Sequence, residues 1–320
     1  MSKIFEALQK TSGDVADFTL PLVTSTPGAK ADQTGGSTLV EDIVRDTEPI
    51  AAEVAAVIAI PCTAEPAAPP EPVAELEEIV PDVPPNGRRI REVSLRLSAE
   101  SPILPFDADH ARAGEQYRVA RTKILQHPQQ PRLVVISSTG SGDGKTITSI
   151  NLAGAMALKS EGQVLLVDGD MRRSQIGKLL GIPQAPGLAD VLGGACALED
   201  AIVQAKQFPN LFVLPGGKPI ANPTELLDSS RWAALCATVR QQFKFVIFDA
   251  PPMATVADYD LIQSHCDGVV LVVRPDHTNR ELCLKALESV PKDRLVGVVM
   301  NCVRDWFLWK TPDRYYYAGS

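Results

Sequence analysis

The sequence predicts an α/β fold: a doubly wound, mostly parallel sheet behind a disordered N-terminal extension. Three observations carry this reading. Short runs of buried-type apolar residues recur between positions 133 and 300, helical periodicity separates most of them, and most of the first third of the chain lacks this alternation. Strands apolar on both faces and spaced by helices imply a sheet covered on both sides.

The elements follow in order. Met1–Lys10 places Ile4, Phe5 and Leu8 on one helical face. It reads either as a frayed terminus or as a short docking helix, since so short a helix needs a surface to pack on. From Thr11 to about Pro85 the chain is rich in Pro, Ala, Thr and Glu, with few aromatics, and a basic stretch with Arg88, Arg89, Arg91 and Arg96 follows. Such a composition buries too little to offset its ordering entropy, so residues 11–106 read as a disordered acidic tether. The core is expected over 107–305. Ala111–Leu125 has helical spacing, and strands are expected at Leu133–Ser137, Val164–Val167, Leu211–Leu214, Phe245–Phe248, Val269–Val273 and Val296–Met300. Ile147–Leu158, Ser230–Gln242 and Arg280–Val290 are the helices between them. Residues 306–320 form a polar tail.

Bulk properties exclude some classes. A chain of 320 residues with 45% hydrophobic residues has room for one large domain plus disorder, and its net charge of −8 argues against coating nucleic acid. The six cysteines, Cys62, Cys196, Cys236, Cys266, Cys283 and Cys302, show no CxxC or CxxH spacing and fit small apolar residues of a reducing cytosol. The amphipathic, charged N-terminus is no secretory leader, and the run Val54–Ile60 is too short to span a bilayer. A soluble protein is expected, reaching any membrane through a partner. His110, His127, His265 and His277 lack ligand spacing and receive no role.

Chemistry enters at the first core strand, which runs into Ser138-Thr-Gly-Ser-Gly-Asp-Gly-Lys-Thr146 before a helix. Gly140, Ser141, Gly142, Asp143, Gly144, Lys145 and Thr146 read as a P-loop, a phosphate cradle for ATP. The glycines let the backbone approach phosphate, Lys145 supplies charge facing solvent, and the Thr146 hydroxyl suits Mg²⁺. The strict GxxxxGK[ST] spacing fails, because Thr139 stands where its first glycine belongs. The next strand ends in Leu165-Leu-Val-Asp-Gly-Asp-Met-Arg-Arg173, placing Asp168 and Asp170 where ligands of parallel sheets bind. Phe245-Val-Ile-Phe-Asp249 is a Walker B pattern. Thr146, Asp170 and Asp249 are the expected Mg²⁺ set. Asp168 is the expected acceptor of a substrate proton. Arg172 and Arg173 read as phosphate contacts or as structural residues.

These motifs together resemble the bacterial tyrosine autokinases of polysaccharide biosynthesis, from roughly Glu115 to the C-terminus. Leu214-Pro-Gly-Gly, Asn222-Pro-Thr-Glu-Leu-Leu227 and Gly297-Val-Val-Met-Asn301 are similar to that family's segments. Glu115, Arg118 and Arg121 look like its ring-assembly helix, although by spacing alone they fit a solvated helix face. The resemblance implies autophosphorylation between subunits and a role in exopolysaccharide synthesis or export. It also implies a separate membrane-bound activator holding the kinase at the inner face of the membrane. Two positions depart from the family: Ser141 and Ser174 stand where it usually has Pro. Tyr315, Tyr316 and Tyr317, between polar flanks, read as exposed phosphoacceptors rather than as an aromatic clamp. Two rivals remain. One is a ParA/MinD-type ATPase switch, whose signature loop lysine is replaced by Gly140. The other is a nucleotide-sensing partner of an export complex without transfer activity.

Overall fold

A computed structural model describes residues 57–61, 90–97, 111–158, 162–253, 257–275 and 277–303. The expected helix at Met1–Lys10, most of the tether and the tail tyrosines Tyr315, Tyr316 and Tyr317 lie outside the described residues.

The strands are β1 (Val57–Pro61), β2 (Arg91–Val93), β3 (Leu133–Ser138), β4 (Val164–Asp168), β5 (Val203–Ala205), β6 (Leu211–Leu214), β7 (Phe245–Asp249), β8 (Gly268–Val273) and β9 (Leu295–Val303). They form one nine-stranded sheet in the order β1-β9-β8-β3-β7-β4-β6-β5-β2. Every pairing is parallel except β5 with β6. All six expected strands are present.

The longer helices are α1 (Ala111–Leu125), α2 (Lys145–Ala157), α7 (Ser230–Gln242) and α9 (Arg280–Ser289). Short helices between them are α3 (Ile176–Leu180), α4 (Leu188–Gly193), α5 (Leu198–Ala201), α6 (Pro223–Leu227) and α8 (Asp258–Ser264).

Side chains alternate across each strand, so one run of apolar residues feeds two cores. Leu133 and Val135 of β3 join the core with Trp232 of α7, Ile262 of α8 and Leu287 of α9. Val134 and Ile136 join the opposite core with Tyr117 of α1 and Ile150 of α2. Trp232, fully buried, meets Phe248 edge-to-face at 5.6 Å. Truncating such a side chain to alanine costs about 3–5 kcal/mol.

Two strands correct the expected boundaries. β1 and β2 both come from the stretch read as tether, and they occupy the two opposite edges of the sheet. Composition over a wide window hides short inserts. Val57-Ile-Ala-Ile-Pro61 has the β-branched residues of a strand, and the edge of β9 supplies its hydrogen-bond partners. No helix among the described residues is long and apolar enough to cross a membrane.

The connection from β3 through α2 passes over β7 to reach β4, so β7 lies between them. Their carboxyl ends therefore converge: Asp168 pairs in register with Asp249, and Ile136 of β3 also faces Asp249. In open α/β sheets ligands bind outside such strand ends.

Candidate nucleotide site

The loop between β3 and α2 is shaped by its glycines. Gly142 and Gly144 both have φ of +90°, a left-handed conformation costly for other residues. A Cβ on Gly144 would also collide with the Asn301 carboxamide.

Lys145 opens α2 and does not face solvent as expected. Its Nζ lies 3.2 Å from Asp170 Oδ2, and the two side chains are only 14% and 8% exposed. Burial opposes the Lys145 charge, but Asp249 and Asp170 outweigh it and hold the ammonium above its ordinary pKa. The neighbouring Asp249 is fully buried, and burial raises its carboxyl above the usual range. Lys145 and hydrogen bonds from Thr146 and Ser149 work against that rise, with Ser149 Oγ at 3.0 Å.

Asp168 divides its two oxygens. Oδ2 accepts from Ser174 Oγ at 2.6 Å and from the amides of Gln175 and Ile176 at 3.0 Å each, closing the turn into α3. Oδ1 is buried with no hydrogen-bond partner. Burial, then the charge of Asp249, pushes the Asp168 carboxyl up to about 7, against the lowering effect of the Ser174 hydrogen bond. Ser174, one of the departures from the family pattern, thus meets the candidate base directly.

The other expected residues separate. Asp143 belongs to the loop, but its side chain is turned into the protein, leaving its backbone to the cradle. Its Oδ1 accepts from Thr278 Oγ1 at 2.8 Å and contacts His277 Nδ1 at 3.0 Å. Ser141 is exposed. Arg172 is structural: Nε reaches Asp258 Oδ2 at 2.7 Å and Nη1 the Ala221 carbonyl at 2.7 Å, anchoring the segment that starts α6. Arg173 is exposed. On α1, Glu115 and Arg118 pair with each other at 2.6 Å on the surface, while Arg121 donates to the Ala155 carbonyl of α2 at 3.0 Å.

Four residues beside the site went unread as such: Asp258, His277, Thr278 and Asn301. His277 and Thr278 follow β8, and Asn301 lies near the end of β9. Inspecting polar residues after every strand on the P-loop side of the sheet would have found them.

The donor set suits a hard cation. Thr146, Asp170 and Asp249 offer oxygens, and the orphaned Oδ1 of Asp168 is one more buried oxygen nearby. Among the described residues no three His, Cys, Asp or Glu side chains cluster as a metal cage. Mg²⁺ takes one or two carboxylates and completes its shell with water and phosphate oxygens, and Asp170 and Asp249 would supply those carboxylates.

An AAA domain family model matches residues 131–287. Tyrosine-protein kinase YwqD of Bacillus subtilis (strain 168) is 36% identical over 191 residues, covering 58% of this chain and 80% of that protein. Tyrosine-protein kinase CpsD of Streptococcus agalactiae is 31% identical over 194 residues, covering 60% and 84%. Among solved structures, the chimerical protein CapA2B2 aligns with TM-score 0.58 and 29% identity over 68% of this chain and 95% of that one.

Proposed function

Because the chain belongs to the bacterial tyrosine-protein kinase family, we propose that it transfers the γ-phosphate of ATP to tyrosine, its own Tyr315, Tyr316 and Tyr317 included. The observation that carries this is the convergence of Lys145, Asp168, Asp170 and Asp249 beneath one glycine-rich loop. Backbone amides from Ser141 to Thr146, together with Lys145, hold the phosphates and stabilise charge on the transferred group. Thr146, Asp170 and Asp249 hold Mg²⁺, which when bound neutralises phosphate charge. Asp168 accepts the tyrosine proton through Oδ1, the oxygen left over when Oδ2 closes the turn into α3.

Phosphorylation runs between subunits of a homo-oligomer in which Glu115, Arg118 and Arg121 contribute to the interface. Arg118 and Glu115 are exposed and able to exchange their mutual pair for an intersubunit one. Residues 1–10 dock on a partner, 11–106 form a tether with two strands embedded, and 306–320 present the tyrosines. The partner is a separate membrane-bound activator, placing the kinase at the inner face of the membrane, and the process served is exopolysaccharide synthesis or export. Incubation with labelled ATP and Mg²⁺, followed by mass spectrometry of the tail, is the test. Steady ATP hydrolysis without phosphate on the three tyrosines replaces this reading with an ATPase switch.

A further inference from the structure

We propose that Asp143, Thr278 and Asn301 are positioning residues that set the phosphate loop before nucleotide arrives. This rests on the nucleotide-binding reading above.

An aspartate inside a phosphate cradle needs explaining, because its charge repels the ligand. Here the carboxylate is 1% exposed and both of its oxygens are engaged by protein groups. Oδ1 takes the Thr278 hydroxyl at 2.8 Å and His277 Nδ1 at 3.0 Å. Oδ2 lies 3.3 Å from the Gly140 amide, at the start of the same loop. The charge thus serves as an anchor joining the loop to the connection between β8 and α9.

Thr278 is itself fixed. Its hydroxyl accepts from the Arg274 amide at 2.7 Å while donating to Asp143, and its own amide donates to the Arg274 carbonyl at 2.9 Å. The anchor is therefore a closed turn, buried at 5% exposure, rather than a mobile side chain. A second anchor acts on the backbone of the same residue, since Asn301 Nδ2 donates to the Asp143 carbonyl at 2.9 Å. Asn301 reaches it because β9 is irregular there. Cys302 has φ of +56°, and two residues, Asn301 and Cys302, oppose Ile60 between the pairs Ala59–Met300 and Pro61–Val303. Bulges of this kind re-aim side chains next to sites.

A loop with three glycines among residues 140–144 samples many conformations when unrestrained. Fixing it beforehand removes that ordering cost from binding. Two side-chain anchors on one residue, from the ends of two different core elements, do so without touching the ligand.

The test uses the full chain, with ATP-dependent phosphotyrosine formation and Mg·ADP titration as readouts. Thr278→Val removes the hydroxyl and keeps the shape. Its KM for ATP and its Kd for Mg·ADP are expected to rise about tenfold, the order expected when a hydrogen bond to a charged group is lost. Its kcat should fall less. A merely structural lesion would instead lower kcat through loss of folded protein at unchanged KM. Thr278→Ser should restore both constants. Asp143→Asn should reproduce the rise, and the double variant should be no worse than the worse single one. Wild-type KM in Thr278→Val, failure of the serine rescue, or additive effects overturns the proposal. Should Thr278→Val not fold, Asp143→Asn decides alone, and an unchanged KM there is equally fatal. Lys145→Ala separates the two levels. Normal Mg·ADP binding by Lys145→Ala defeats the nucleotide-site reading itself, whereas loss there beside unchanged Thr278→Val defeats only the anchor.

Discussion

Replacing Lys145 by alanine is expected to cost stability as well as activity. The ammonium lies 3.2 Å from Asp170 with little exposure on either side. At that separation the gross attraction is about 5 kcal/mol for an effective dielectric of ~20. Desolvation of both groups cancels part of it. Removing one partner, however, leaves the other buried and unpaired, a change that typically costs about 3–5 kcal/mol. Lys145 itself keeps its charge across neutral pH, because its pKa is raised and its contribution is lost only above the ordinary lysine range.

Among Lys145 and the acids it faces, pH dependence near neutrality therefore belongs to the carboxylates. Asp168 titrates near 7 when folded but near 3.8 when unfolded, so the native state holds a proton that the unfolded chain has released. Stability consequently falls as pH rises between those values. Without Lys145 the carboxylates repel one another more strongly, and the fall steepens. Urea unfolding without nucleotide should show Lys145→Ala less stable than wild type by about 3 kcal/mol at pH 8 and by less at pH 6. Equal stability at pH 8, or a larger deficit at pH 6, refutes the reasoning that this lysine neutralises buried acids.

Other outcomes follow from the same geometry. The rate of phosphotyrosine formation should rise with pH through about 7 as Asp168 loses its proton, and Ser174→Ala should move that rise to higher pH by deleting a hydrogen bond to the carboxylate; a pH–rate profile reads both. Arg172→Ala should destabilise the protein by about 3 kcal/mol with Asp258 left buried, and Arg172→Lys should not rescue it because the two-pronged contact is lost; thermal unfolding decides. Glu115→Ala with Arg118→Ala and Arg121→Ala should shift the oligomer towards monomer in light scattering; a wild type that is monomeric at every concentration tried, with and without its partner, removes the interface role.

The central strands were legible because burial on both faces leaves unbroken apolar runs, a signal unaffected by distant contacts. The positions of Asp168 and Asp249 were legible for a related reason: each closes such a run, as the last residue of β4 and of β7. Arg172 was not. Its partner Asp258 lies 86 positions away, and a surface arginine gives no sign of a buried acid in a later helix. Thr278 carried no motif of its own and Asn301 only closed a strand segment, and their contacts with Asp143 arise only when β8 and β9 are laid beside β3. The three-residue strands β2 and β5 are too short for periodicity to register, and pairing at that end of the sheet decides their conformation.

The two edge strands bear on how fragments of this chain behave. β1 and β2 stand eight strand spacings apart, about 38 Å. Each covers a row of backbone amides and carbonyls that would otherwise template pairing with another molecule. A fragment cut where composition changes, near residue 107, keeps the nucleotide site but loses both covers. It bares β9 on one side and β5 on the other. Such a fragment is expected to self-associate into ribbons at concentrations where the longer chain stays dispersed.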